Sequence, residues 1–450
     1  QAGWMARVLL PQQDVTTGVL TLQIIEAQFG GAHAKADPAV RINPEIARRI
    51  VENAQPVNTP LNLPAVDRAL LLVGDLPGSS ANGSLRAGKE EAQTDLDILL
   101  SPQKLMVGDV QLDNFGGRST GAPRLGANIQ VQSPARIGDQ LLANFSLSQG
   151  NKYARVGYTL PMGSSGLRGG INASLMNYRL VSSDFSNLDA KGTSNTIGLE
   201  ANLPIVRSRT ANLYANLNLD RRSFQNESQN DVTSKYRITA ATLTFSANKL
   251  DTWARGGSTT GSLALTGGNV NLSGSANERA DALTTRTAGR YTKARWQLSR
   301  QQTLNEALSA VIELSGQFAN KNLDSSERFY LGGPYGIRAY PANEGSGSQG
   351  FMARIELRAT LAPKVSATGF LDTGRVTVNR DNAYEGRLAV NNYSLSGLGV
   401  SVAFAGPRNT HFQATVSNRL GSNPNPNLQG RDQDGSLQKT RVWVSANIAF

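Results

Sequence analysis

An arginine at 338 and an aspartate at 372 are the residues of this sequence with the plainest chemical use. A guanidinium presents a planar fork of donors that fits a carboxylate bidentately. Such a contact would pin a loop to a wall. The residues alone also admit a blander arrangement, with Arg338 solvated and Asp372 one polar-face charge among many. Other chemistries are poorly supplied. The chain has no Cys, which excludes a disulfide scaffold, a thiolate metal site and a Cys nucleophile. His33 and His411 are its two histidines, too few for a His-rich metal site, and His411 has no evident Ser partner. Gly345-Ser-Gly-Ser-Gln-Gly350 satisfies Gly-x-Gly-x-x-Gly. A dinucleotide loop needs a strand before it and a helix after it, and here a strand follows. No spacing of Asp and Glu favours an acid–base couple. The expectation is no enzyme, no cofactor and no metal.

What must position Arg338 and Asp372 is legible in composition and period. Of the 450 residues, 39% are hydrophobic and 18% charged, which fits neither a helical membrane protein nor a disordered chain. The longest apolar run, Ala69–Val73, is too short to cross a bilayer as a helix. No leader-like pattern opens the chain, so a mature or trimmed form is expected. Residues 1–103 hold 8 Lys and Arg against 11 Asp and Glu, a net of −3. The overall +11 therefore leaves +14 for residues 104–450. Those basic residues are scattered singly through alternating segments, without a basic helix or an aromatic RNA-binding motif, so nucleic acid is not expected as a partner.

Residues 1–103 read as small α+β modules. Val19–Ile25 alternates as a strand. Asn43-Pro44 starts a helix carrying Ile46, Ile50 and Val51 up to Ala54. A second helix over about 62–75 aligns Leu63, Val66, Leu70 and Val73, and Leu76-Pro77-Gly78 stops it. Strands follow at about 83–87 and 94–100.

From 104 onward the texture is period two. Phe351, Ala353, Ile355, Leu357, Ala359 and Leu361 are apolar, whereas Arg354, Glu356, Arg358 and Thr360 between them are polar. Ile312 and Leu314 alternate with Glu313 and Ser315, and Val444 and Ile448 alternate with Ser445 and Asn447. Successive strand side chains point to opposite faces. About sixteen such segments run from 104–115 to 440–450, most of ten residues or more. Globular strands average about five or six residues, whereas a tilted membrane strand needs about nine to eleven. Short connections alternate with long polar ones near 180–193, 268–288 and 321–347, as in an outer-membrane barrel. Ile312, Leu314, Ile355, Leu357, Val444 and Ile448 are expected to face lipid. Arg introduced at Glu356 or Ser315, in a wet lumen, is expected to be mild. On 363–376, Lys364, Ser366, Thr368 and Asp372 share the lumen face, and the loop bearing Arg338 is long enough to fold back inside a wide barrel.

Residues 329–340, Phe-Tyr-Leu-Gly-Gly-Pro-Tyr-Gly-Ile-Arg-Ala-Tyr, resemble the sixth-extracellular-loop signature of the BamA/TpsB superfamily. The match holds at Ile337, Arg338 and Tyr340. It departs at Ala339, where the family usually has Gly, so the tip is expected to adopt positive φ less readily. Gly369-Phe-Leu-Asp372-Thr-Gly374 resembles the family's strand motif, and the terminal Phe450 resembles the outer-membrane assembly signal. Asp113-Asn-Phe-Gly116 with Thr120-Gly121 resembles the first barrel strand of two-partner secretion transporters (TpsB, of the haemolysin-activator, FhaC or CdiB type). The β-α-α-β-β unit resembles their second POTRA domain, and Gly18–Glu26 the end of the first.

The resemblance implies an all-β transmembrane barrel of about sixteen antiparallel strands with N-terminal α+β POTRA domains. It divides the chain into a first-POTRA remnant at 1–35, a second POTRA at 36–103 and a barrel at 104–450 with an inward-folding loop at 321–347. The plug helix and complete first POTRA usual in such transporters are expected to be trimmed or lost. The site implied is Gly336, Ile337, Arg338, Tyr340, Asp372 and Gly374 for loop-to-wall contact, with Gly336 and Gly374 allowing close backbone approach. Leu85, Leu96 and Ile98 would bind the passenger by strand addition at 83–87 or 94–100. The partners implied are a large secreted TpsA-type exoprotein, outer-membrane lipid and, during biogenesis, the barrel assembly machinery. The location is the outer membrane with POTRA domains in the periplasm, and export runs without ATP. A BamA-type assembly insertase and a passive diffusion porin are the alternatives. A porin would not need the helical N-terminal module.

Overall fold

The computed structural model describes residues 3–13, 16 and 18–450. Of the unit expected at 1–35, residues 1, 2, 14, 15 and 17 lie outside that description. In the remainder, β1 (Ala6–Leu9) pairs antiparallel with β2 (Gln23–Glu26). The strand expected over Val19–Ile25 is thus shorter and later, because outside 23–26 the segment has no ladder partner among the described residues.

The module that follows contains β3 (Gln28–Ala36), α1 (Pro44–Ala54), α2 (Leu63–Gly74), β4 (Ser79–Ala87) and β5 (Gln93–Pro102). Its boundary differs from the expected 35/36. β3 pairs in parallel with β5, so residues 28–36 are the first strand of this module rather than the tail of the preceding unit. Asn43 caps α1 by accepting from the Glu45 amide at 2.9 Å, and Asn62 caps α2 by accepting from the Ala65 amide at 3.1 Å. Each cap satisfies a donor that the first helical turn leaves free. The two helices cover one face of the sheet and bury Phe29, Ile50, Val51, Leu61, Val66 and Val73 with Leu96, Ile98 and Leu100. Leu63 lies outside this core and is exposed, and Leu72 takes its place on the buried face.

The sheet order is β3-β5-β4. This corrects the expectation that 94–100 is a candidate edge. β5 is central, with ladder partners on both sides, and Leu96 and Ile98 are each only 1% exposed. The most apolar strand takes the centre, where both helices press on it. β4, with Asn82, Ser84 and Arg86, is left at the edge.

Sixteen strands then close into an antiparallel barrel. They are β6 (Met106–Asp113), β7 (Arg124–Gln132), β8 (Gln140–Ser148), β9 (Asn151–Pro161), β10 (Arg168–Arg179), β11 (Lys191–Arg207), β12 (Ala211–Ser228) and β13 (Asp231–Asp251). β14 (Gly257–Asn271), the short α3 (Glu278–Leu283), β15 (Gly289–Thr303) and β16 (Leu308–Ala319) follow. The loop after β16 contains the two-residue strands β17 (Phe329–Tyr330) and β18 (Ser346–Gly347). β19 (Gln349–Ala362), β20 (Val365–Thr377), β21 (Asn392–Ala405), β22 (Thr410–Arg419) and β23 (Thr440–Ala449) complete the wall. Each pairs with its neighbour in sequence, and β23 closes on β6 through Asp109–Asp113 against Ser445–Ala449. Phe450 extends that seam by donating its amide to the Gly108 carbonyl at 3.0 Å.

The parity read from the sequence is the parity of the wall. Ile312, Ile355, Leu357, Val444 and Ile448 are exposed on the outside, whereas Glu356, Asp372, Ser417 and Trp443 are buried within. No helix among the described residues is long and apolar enough to cross a membrane.

The module seats on the barrel turns at one end. Arg41 donates to the carbonyls of Ser133 and Pro134, and Arg68 donates to that of Pro204 at 2.8 Å. Arg207 forks onto Asp75, both contacts at 2.8 Å, and Arg209 reaches Asp67 at 2.6 Å. None of these contacts involves residues 82–87.

Candidate functional site

The loop after β16 leaves the end of the barrel opposite the module and turns back into the lumen. Phe329, Leu331, Ile337, Ala339 and Tyr340 pack there against Val376, Val378, Tyr393 and Leu395 of the wall and its adjoining loop. Ile337 and Tyr340 are fully buried. Burying apolar side chains is worth roughly 1.5–3 kcal/mol apiece when complete, so this small core alone would hold the loop inward.

The fold brings Arg338 and Asp372 together. The Arg338 Nε donates to Asp372 Oδ2 at 2.9 Å, Nη2 donates to Oδ1 at 2.7 Å, and the Arg338 amide adds a third bond at 3.1 Å. The Arg338 carbonyl accepts from Ser417 Oγ at 2.7 Å and from Trp443 Nε1 at 2.8 Å. Its guanidinium carbon lies 3.4 Å from the Phe370 ring centroid. Backbone and side chain are therefore both held, by β20, β22 and β23 together.

The glycines earn their identities by contact. A Cβ on Gly336 would run into the Leu331 carbonyl. One on Gly374 would lie 2.7 Å from Leu331 Cδ2 and 2.8 Å from the Phe351 carbonyl oxygen. Ala339 does not use the left-handed region, so the missing family glycine costs the tip nothing; positive φ falls at Gly333, Asn343 and Gly345 instead. The Ala339 methyl points at Gly397, where any Cβ would collide with it.

Glu356, expected to be one charge in a wet lumen, is instead 6% exposed and bound by three arginines. Arg338 reaches it at 2.9 Å, Arg354 at 3.2 Å and Arg358 at 2.7 Å. Arg354 also reaches Glu313 at 2.8 Å. Three arginines thus share three carboxylates. Buried charges persist only when paired in this way. The alternation marks Glu356 and Arg354 as inward, but not that a loop would cover them. Phe115, in the first-strand motif, stands edge-on to Tyr335 of the loop and to Trp443 of the last strand.

A second anchor had no signal in the sequence. Glu327, at the loop's stem, is 3% exposed and pairs with Lys293 of β15 at 2.7 Å and with Arg222 of β12. Burial disfavours its ionised form, but the two cations outweigh that and hold the carboxyl below the usual glutamate range. Its carbonyl also accepts from Lys293 Nζ and Gln317 Nε2. Glu327→Gln should keep the shape but leave two half-buried cations without a carboxylate. Truncating one side of a buried pair costs about 3–5 kcal/mol, less where water reaches. Single-channel recordings of that variant should show a noisier and larger open current than wild type; an unchanged trace would remove Glu327 from the anchoring set.

The far end of the loop is also covered. Glu344 accepts from Asn423 Nδ2 at 3.0 Å and the Gln433 amide at 2.8 Å, both from the loop between β22 and β23. Burial pushes its carboxyl above the usual range, although these two donors pull it partly back. Beside the Arg338 cluster the lumen keeps a cavity of about 570 Å³.

Of the other expected site residues, Leu85 is exposed on β4, whereas Leu96 and Ile98 are interior to the module. Leu96 and Ile98 therefore cannot receive an added strand, because every backbone group of a central strand faces a neighbour.

Comparison with known proteins agrees with this architecture. Residues 92–404 match the model of the haemolysin secretion/activation protein ShlB/FhaC/HecB family. The chain is 25% identical over 428 residues to the heme/hemopexin transporter protein HuxB of Haemophilus influenzae (strain 86-028NP), covering 93% of this chain and 74% of that one. It is 24% identical over 377 residues to the outer membrane transporter CdiB of Dickeya dadantii (strain 3937), covering 79% and 63%. The solved structure of CdiB from Escherichia coli superposes with a TM-score of 0.77 at 17% identity, over 100% of this chain and 81% of that one. A closed sixteen-strand barrel with an outward apolar face, joined to a family match over most of the chain, leaves one assignment: the chain belongs to the ShlB/FhaC/HecB family of two-partner secretion transporters and resides in the outer membrane.

Proposed function

We propose that this transporter exports one large exoprotein, unfolded, from the periplasm to the cell surface through its own barrel, and that the loop at 321–347, which closes the lumen at rest, is a working part of export that must be anchored to the wall for the passenger to move. The observation that carries this reading is the Arg338 clamp. A loop fixed by a bidentate buried ion pair, a backbone hydrogen bond and a packed apolar core occupies the route a chain would take. Export needs no ATP in this reading; folding of the passenger outside supplies direction. The α+β module at 28–102 acts as a POTRA domain that receives the passenger, and the segment before it is the end of another. The passenger of this reading is a large secreted polypeptide that crosses unfolded.

Reception is by strand addition on β4. This strand pairs with β5 alone, and residues 82–87 are exposed throughout. The start of the opposite edge is covered, since Phe29 and Ala27 bond to residues 58–61. An unpaired edge accepts an extended chain through backbone bonds with little demand on sequence. A proline scan across 82–86 in the full-length protein tests it. Positions whose amide faces outward should lose passenger binding while the barrel still shows heat-modifiable mobility. Normal secretion from every assembled variant would sink strand addition. Expression of a candidate secreted exoprotein with and without this chain tests the larger reading: surface delivery should require this chain.

A further inference from the structure

The outer wall over β12 to β15 carries an unusual set of cations. β12 runs away from the module, so Arg221, past Leu217 and Leu219, lies toward the extracellular end of the wall. Arg221, Arg237 and Arg290 all have outward parity and are exposed. Ladder register sets Arg221 opposite Thr239, Thr239 opposite Asn269, and Asn269 opposite Arg290. Arg237 lies opposite Ser223, one step farther out and diagonal to Arg221. None of the three has an ion pair or side-chain hydrogen bond among the described residues. Their inward neighbour Arg222, by contrast, is paired with Glu327.

Just below them the wall is hollowed. Ala241 and Gly267 are short where Leu199 and Leu219 are tall, and the result is a shallow groove of about 700 Å³ with an apolar floor and arginines at its upper margin. From Arg221 to Arg290 is three strand spacings, ~14 Å. That is the scale of a disaccharide with a phosphate at each end.

The occupant must put acyl chain in the groove and anionic oxygens above it. Guanidinium forks match phosphate bidentately, and three unneutralised cations with no outward carboxylate in the same rows call for more than one anionic group. In the outer leaflet of an outer membrane the lipid built in this way is lipopolysaccharide, with acyl chains below a phosphorylated diglucosamine. We propose that this groove is a lipopolysaccharide site, with Arg221, Arg237 and Arg290 holding the lipid A phosphates and Leu199 and Leu219 flanking an acyl chain.

Native mass spectrometry of the purified full chain tests this with three probes: bisphosphorylated lipid A, the same lipid dephosphorylated, and phosphatidylglycerol. Wild type should bind bisphosphorylated lipid A about tenfold or more tighter than either other lipid, as charge-assisted contacts require. The triple variant Arg221→Ala, Arg237→Ala, Arg290→Ala should lose that preference, and the triple Lys variant should retain most of it. If the Ala triple fails to assemble, the three single Ala variants carry the test, each expected to weaken binding roughly threefold. Equal binding of lipid A and phosphatidylglycerol by wild type would overturn the proposal. So would undiminished lipid A binding by the assembled Ala variants.

Discussion

Alanine at either Arg338 or Asp372 is expected to cut surface delivery of the passenger about tenfold or more while the barrel still assembles. Each substitution strands a charge that is now matched by two side-chain bonds. Removing one partner of a buried pair costs about 3–5 kcal/mol, and less where lumenal water reaches the survivor. A loop population shifts about tenfold for every 1.4 kcal/mol, so even a discounted loss would unseat residues 321–347. Arg338→Ala also takes one of three arginines from Glu356, which keeps Arg354 and Arg358. Its loss should therefore be somewhat milder than that of Asp372→Ala, which leaves Arg338 with only the shared Glu356. Secretion and single-channel current, measured on the same preparations, check this. A double-mutant cycle with strictly additive losses would show that the contact does not matter to export.

Arginine at Ile355 should destabilise the assembled barrel by about 2–4 kcal/mol, the cost of a guanidinium on the lipid face near mid-membrane. Ile355 sits midway along β19, exposed and opposite Ile312 and Leu371. Ser315→Arg, on the lumen face between Gln297 and Met352, should cost far less. Glu356→Arg has lumen parity too, yet it should be as damaging as Ile355→Arg. It would set four arginines against Asp372 and Glu313. Urea titrations of the folded band rank the three. Equal tolerance at Ile355 and Ser315 would refute the assignment of faces.

How far these outcomes were legible differs by residue. Arg338, Asp372, Gly336 and Gly374 could be placed before any coordinates, because the family resemblance of the two motifs adds to what loop length and strand parity allow. Glu327 could not: its partners come from β12 and β15, and nothing local to Ser-Ser-Glu marks it. Glu356 was readable as inward but misread as solvated, since parity says which way a side chain points and not what lies over it.

Local pattern was enough to lay out the wall. Period-two alternation is a property of the chain's own geometry, and each barrel strand pairs with its neighbour in sequence, so segments, faces and strand number follow without long-range information. The capped helix starts at Asn43 and Asn62 are local for the same reason. Long-range contact settled the rest. It made β5 central because the strand richest in buried aliphatics is the one both helices can cover, which moved the open edge to β4 and took Leu96 and Ile98 out of reach. It also decided which lumenal charges are dry, because only the inward path of the loop brings Arg338 onto Asp372 and Glu356, and Glu327 onto Lys293 and Arg222, where water no longer screens them.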